Sequence, residues 1–287
     1  MRRPECGVRQ IVSHLFYIDT HGIIIIKIQK EMKTFRFIGM ALFAVLMCVN
    51  FASCSSSDDD PTEEKEESEV VVSGKKLVKM VAESEDWKES RTFSYDDNGR
   101  LIKAIEIDEY EYGSSNHTYQ FIWGDDVVKV NCEDGYSYTF TLTNGLIQSC
   151  DDGTIFTYNK SNRLIKWEEP GYKSAETTTA IWDGDKLMSM TNSDGDDYTF
   201  TYEKSCKKGY FPFLGSMIYD EFGGLFYVHP ELVGARSTQL PATETCRYGN
   251  EIETETFTYE FDNEGYISKI IIKLTDGSIE TCTITWQ

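Results

Sequence analysis

From about Lys75 onward, apolar and polar residues alternate with a period of two. In "YSYTFTLT" (136–143), Tyr136, Tyr138, Phe140 and Leu142 share one face and Ser137, Thr139, Thr141 and Thr143 the other. "YTFTYE" (198–203), "TFTYEF" (256–261) and the closing "CTITW" (282–286) repeat the scheme. Strict alternation predicts strands with one buried and one wet face. Between the runs lie Asp-Gly pairs at 134–135, 152–153, 183–184, 194–195 and 276–277, and Asn-Gly pairs at 98–99 and 144–145. Such pairs tolerate the positive φ of type I′ hairpin turns. No long 3.6-residue apolar period follows residue 75, so the pattern predicts an all-β fold. It would be one domain over 75–287, an antiparallel meander of roughly 14 to 16 strands, each near seven residues.

A weak internal repeat runs through these hairpins: "YDDNGRLIK" (95–103), "WGDDVVK" (123–129), "YNKSNRLIK" (158–166), "WDGDKLM" (182–188) and "FDNEGYISK" (261–269). Each has an aromatic ending a strand, a polar turn, then an apolar pair and often a Lys. One hairpin cannot bury its apolar face alone, so stacked units build a long twisted sheet that must curl, split or close, giving a curved or barrel-like sheet. Residues 204–245 break the pattern with an aromatic-rich loop of some 40 residues holding Pro212, Pro230 and Pro241. Loops this long are often functional. The competing reading is a plug, in which Phe211, Phe213, Leu214, Phe222, Leu225 and Phe226 cap the sheet, because so many apolar groups do not stay wet. Short helical turns are expected near 215–222 and 230–233.

Upstream the composition changes abruptly. "MKTFRFIGMALFAVLMCVNFASC" (32–54) carries Lys33 and Arg36, then an apolar run from Phe37 to Val49, then Ala52 and Ser53 before Cys54. This is the order of a secretory signal peptide, and the run is too short to span a bilayer. "SSSDDDPTEEKEES" (55–68) follows at once, too poor in apolar groups to fold, hence a solvated tether. The expected organisation is an upstream extension from a mis-assigned start codon (1–31), a signal segment (32–53), Cys54 with its tether (54–74) and the β domain. Residues 1–54 hold seven Lys/Arg and three Asp/Glu, which leaves 21 basic against 45 acidic side chains beyond them, a net charge of −24. Such a surface repels phosphate backbones and excludes nucleic acid as a partner.

"FASC" resembles a bacterial lipobox, although Phe51 and Ser53 depart from its usual residues. The resemblance implies that Cys54 is acylated and anchors the chain in a membrane; two or more acyl chains hold stably. A Ser/Asp run directly after a lipidated cysteine resembles the export signal of surface lipoproteins in Gram-negative gut anaerobes, which implies the outer face of the outer membrane. The alternative is a plain spacer. "YDDNGRLIK" resembles the tyrosine–aspartate (YD) repeats of large shell-forming proteins, but five degenerate copies are too few for a shell. "KLVKM", "YDDNGRLIK", "GARSTQLP" (234–241) and "YEFDNEGYISKI" together resemble a domain family of gut-bacterial lipoproteins with a porin-like fold, over roughly 75–287. That resemblance implies a fold and no activity.

Candidate chemistry is thin. Only His117 and His229 follow residue 54, and no metalloprotease, nucleophile-elbow or phosphate-loop motif occurs. Cys132, Cys150, Cys206, Cys246 and Cys282 are odd in number and match no zinc spacing. Cys132 and Cys150 would lie two strands apart, too far for a disulfide, so buried thiols are expected. No catalytic residue, metal or cofactor is assigned. Trp123 and Trp182, at matching repeat positions, read as core. Trp87 and Trp167, beside charged residues, read as exposed and, with Tyr210, Phe211, Tyr219 and Tyr227 of the long loop, are the candidates for a stacking platform. The resulting expectation is a non-enzymatic, surface-exposed outer-membrane lipoprotein that binds a glycan, peptide or protein. The alternatives are a hydrolase with unmarked carboxylates and an integral outer-membrane barrel.

Overall fold

The computed structural model describes residues 74–110, 113–171, 175–218 and 222–287. The expectations for residues 1–73, Cys54 included, lie outside the described residues. Among these the chain forms sixteen strands: β1 (Leu77–Glu83), β2 (Trp87–Tyr95), β3 (Leu101–Tyr110), β4 (Gly113–Trp123), β5 (Val127–Cys132), β6 (Ser137–Thr143), β7 (Leu146–Cys150), β8 (Ile155–Tyr158), β9 (Leu164–Glu169), β10 (Glu176–Asp183), β11 (Lys186–Asn192), β12 (Asp197–Ser205), β13 (Gln239–Tyr248), β14 (Glu251–Phe261), β15 (Ile267–Lys273) and β16 (Ile279–Trp286). Each pairs antiparallel with its sequence neighbours, and β1 pairs with β16, so the meander is a closed barrel. Closure removes the unpaired edges an open sheet would expose. The seam is sealed by the Leu77↔Trp286 register and by Lys76 and Gln287, whose N–H groups each donate to the other's carbonyl (2.5 and 2.9 Å).

The period-two pattern assigns the two faces as expected, except that Tyr136, in the turn before β6, is exposed. Phe140, Phe200, Phe257, Ile284 and Trp286 point inward and are buried, while Thr141, Thr199, Thr201, Thr256, Thr258 and Thr283 alternate with inward residues and are exposed. Sixteen strands enclose a lumen wide enough for a water channel. Here it is filled by large side chains and by the segment between β12 and β13, which forms α1 (Phe213–Ile218), α2 (Leu225–Val228) and a 3-10 turn (Pro230–Val233). All six apolar residues expected to form a plug are buried. Phe222 meets Tyr138 and Phe140 edge-on, with centroids 4.7 and 4.6 Å apart.

The turns correct one expectation. Of the Asp-Gly and Asn-Gly pairs, only Asn144–Gly145 has both residues at positive φ (52° and 76°), as type I′ requires. Seven hairpins instead share another geometry. The first turn residue donates its N–H to the carbonyl four residues on and accepts from the N–H three residues on; the pairs begin at Asp96, Cys132, Cys150, Asn159, Asn192, Asp262 and Leu274. This is a type I turn closed by one left-handed residue. That residue is Gly99, Gly135, Gly153, Asn162, Gly195, Gly265 or Gly277. In the repeat units the Asp or Asn after the aromatic stabilises the turn directly. Asp96, Asn159 and Asp262 each accept two backbone N–H groups with Oδ1.

The repeat's aromatic has a separate task. Where several even strands meet the following turn, though not β4, the register shifts by a bulge, as between Ser94 and Tyr95, Thr157 and Tyr158, or Ile181 and Trp182. The aromatic reaches across to a backbone carbonyl within the first three residues of the preceding strand. Trp123 Nε1 donates to Leu101 O (2.7 Å), Tyr158 Oη to Ile147 O (2.6 Å), Trp182 Nε1 to Leu164 O (2.6 Å), Tyr202 Oη to Leu187 O (2.8 Å) and Trp286 Nε1 to Ile267 O (2.7 Å). Tyr95 to Leu77 and Tyr259 to Pro241 extend the scheme to seven of the eight even-numbered strands, β6 having Leu142 there. One end of the barrel is therefore girdled by hydrogen-bonded aromatics, and the plug enters at that end.

Candidate functional site

The two ends of the lumen differ chemically. At the plug end the interior is apolar. In the opposite half, charged residues fall in phase with the buried face of their strands: Glu89 and Arg91 with Phe93, Glu106 and Asp108 with Ala104, Glu244 with Cys246, Glu255 with Phe257, and Glu280 with Cys282. Six carboxylates thus share this half with one guanidinium among the described residues. Arg91 Nε lies 2.6 Å from Glu89 and 2.9 Å from Glu106, and its guanidinium carbon sits 4.8 Å from the centre of the Tyr227 ring. Burial on this scale requires such pairing, because an isolated buried charge costs several kcal/mol. Glu244 and Glu255 oppose each other in the β13–β14 register, both fully buried. Glu89, Arg91 and Glu280 line a small cavity of about 20 Å³, closed by Trp87, Phe213 and Tyr227.

Towards the rim of this end lies a second group. Register pairs Glu106 with His117 and Asp108 with Ser115 across β3–β4, and Tyr119 with Cys132 across β4–β5. His117 Nδ1 is 2.6 Å from Asp134 Oδ2, and Cys132 Sγ is 3.7 Å from the same oxygen. Ser115 Oγ donates to Asp108 (2.7 Å), yet burial raises the Asp108 carboxyl above its ordinary range. Burial likewise raises the Cys132 thiol, and that of Cys150 to about 12. None of the five described cysteines is in a disulfide, and all but the half-exposed Cys132 are buried.

The residues singled out for stacking do not form one surface. Trp167, expected to be exposed, is buried in the lumen, because the neighbours that suggested exposure, Lys166 and Glu168, point outward by alternation. Tyr210, Phe211 and Tyr227 are buried in the plug, with Tyr210 Oη donating to Val228 O (3.1 Å). Tyr219 lies outside the described residues. Trp87 alone stands half-buried beside the acidic cavity. The sequence reading missed the inward carboxylates and the His117–Cys132–Asp134 group. The signal for the former was strand parity. The latter depends on a cross-strand register that spacing alone does not give.

No family model matches the chain, and no curated protein matches it. Solved structures similar to the chain include two porin-like proteins. A porin-like protein from Bacteroides uniformis ATCC 8492 aligns over 74% of this chain and 98% of its own, with 17% identity and a TM-score of 0.60. A porin-like protein from Bacteroides vulgatus ATCC 8482 aligns over the same shares with 11% identity and a TM-score of 0.53. At these identities the likeness establishes the class of fold, a porin-like all-β barrel.

Proposed function

We propose that this chain is a non-conducting lipoprotein of the outer membrane, held at its surface by acylated Cys54, that binds a ligand at the acidic end of its barrel. The observation that carries the reading is the segregation of inward carboxylates into the half of the lumen that faces away from the aromatic girdle. It favours a ligand with positive charge among the glycan, peptide and protein classes: an amino sugar oligomer or a basic peptide. The outer wall supports a barrel standing in water. Lys79, Lys103, Lys129, Thr141, Thr201, Thr258 and Glu260 face outward, and isolated residues such as Ile122, Ile181 and Ile252 form no continuous band of the kind a membrane barrel presents to lipid.

Two measurements test this. The chain from Ser55 onward is offered oligolysine, amino-sugar oligomers and neutral glycans. Saturable binding of the cationic probes that weakens with salt and in Glu106→Gln is expected; equal or absent binding across the panel overturns the ligand class. Cells fed a clickable fatty acid should label the full chain and not Cys54→Ser; equal labelling removes the anchor. Porin-like neighbours also suggest a pore through the membrane, a reading that steady single-channel conductance in planar bilayers would favour.

A further inference from the structure

We propose that His117, Cys132 and Asp134 bind a divalent transition-metal ion of the zinc class. The three come from different places in the chain and are brought together by the barrel. Cys132 ends β5 opposite Tyr119 of β4, and His117, two residues from Tyr119, projects from the same face. Asp134 lies in the β5–β6 turn, which Gly135 closes with φ 91°, turning its carboxylate back over the strand end. The imidazole, thiol and carboxylate donor atoms all lie within 4.8 Å of one another.

The geometry suits a tetrahedral ion. Metal–nitrogen, metal–oxygen and metal–sulfur bonds of about 2.0 to 2.3 Å place neighbouring ligand atoms roughly 3.3 to 3.7 Å apart. The Sγ–Oδ2 separation of 3.7 Å already meets this. The 2.6 Å hydrogen bond between Nδ1 and Oδ2 must open by under about 1 Å, which the exposed Asp134 side chain permits by rotation. The donor set selects the ion class. One thiolate with imidazole and carboxylate suits zinc, cobalt or nickel and disfavours calcium and magnesium, which take oxygen ligands. Three protein ligands leave a fourth position for water or a further ligand. Proton balance follows from the ligands. The Cys132 thiol releases one proton to solvent, the neutral imidazole moves its proton to Nε2 so that Nδ1 can bind, and the carboxylate is already ionised.

This inference does not rest on the proposed cationic ligand, and its readout is separate. The mature chain from Cys54 onward, kept reduced, is titrated with Co²⁺ as the spectroscopic probe and then with Zn²⁺. Expected are one equivalent of Co²⁺ with a sulfur-to-cobalt charge-transfer band and tetrahedral ligand-field bands, displaced by one equivalent of Zn²⁺. Cys132→Ser should abolish the charge-transfer band, and His117→Ala should weaken binding about tenfold or more. Cys150→Ser, altering a buried thiol at the neighbouring turn, should leave both unchanged. Unaltered thermal melts of the metal-free variants show that loss of the band is not loss of fold. Absence of a charge-transfer band in the parent protein, or its persistence in Cys132→Ser, overturns the site.

Discussion

Gly234 is where the plug turns back towards the wall. It caps the 3-10 turn with φ 63°, and a Cβ built there would lie 1.9 Å from the Asn162 carbonyl oxygen. Arg163, beside that carbonyl, donates through Nη1 to Gly234 O and Arg236 O (both 2.9 Å) while stacking over Trp182. Strained backbone and a backbone clash therefore coincide at a position with no room to relax. Gly234→Ala should destabilise the barrel by about 3 to 5 kcal/mol, read as a large fall in the denaturant midpoint. A loss under about 1 kcal/mol would mean that the plug can shift away from the β8–β9 turn. The motif "GARSTQLP", legible in the sequence only as a likeness, thereby acquires a physical meaning. Gly234 makes the close approach, Arg236 covers the Tyr210 ring at 4.7 Å, and Pro241 offers its carbonyl to Tyr259.

At the scale of elements, the plug is tied to the wall through His229. Its Nε2 accepts the Leu101 N–H (3.1 Å), so its proton sits on Nδ1, which donates to Glu231 (2.8 Å). Burial alone would raise the Glu231 carboxyl, but this hydrogen bond and Arg236 outweigh it and hold the group below its ordinary value of 4.5. A depressed acid stabilises the fold above its unfolded pKa, and that contribution is lost as pH falls through the folded value. Stability should therefore fall below about pH 4.5 with a component of roughly 0.5 to 1 kcal/mol, the size of a partly exposed pair. Melts from pH 6 to 3 should show this component in the parent and not in Glu231→Gln; identical profiles would detach Glu231 from the plug's docking. The plug was readable in advance because its apolar residues exceed what a wet loop can carry. Its tether was not, since it joins His229 to a strand 128 residues earlier in the chain. The turns were misread for a related reason. An Asp-Gly pair serves either turn type: the longer loop is reinforced by an Asp or Asn side chain at its first residue in Asp96, Asn192 and Asp262, yet it also forms at Cys132, Cys150 and Leu274, which carry none.

At the scale of the whole molecule, alternation identified the strands and the wet face but not closure, because no residue of β1 or β16 is written differently from those of an edge strand. What closes the barrel is the repeat itself. Trp286 of the last strand makes to Ile267 the bond that Trp182 makes to Leu164, and Tyr95 reaches β1 as Tyr158 reaches β7. The seam is thus one more repeat junction, lacking only a turn between Gln287 and Lys76, whose backbones already pair. A chain that is cyclic in its contacts should not depend on where it is cut, provided the cut falls in an exposed turn with few bonds crossing it. Joining Gln287 to Lys75 through a short Gly/Asn turn and opening the chain between the exposed Gly249 and Asn250 of the β13–β14 turn should give a folded barrel. Its melting temperature is expected within about 5 °C of the parent, a change of roughly 1 to 2 kcal/mol, with the same far-ultraviolet circular dichroism. An unfolded or aggregated permutant, set against a correctly folded linear chain from Lys75, would show that β1 and β16 form the last and weakest junction of a sheet that assembles from β2 to β15 before it closes.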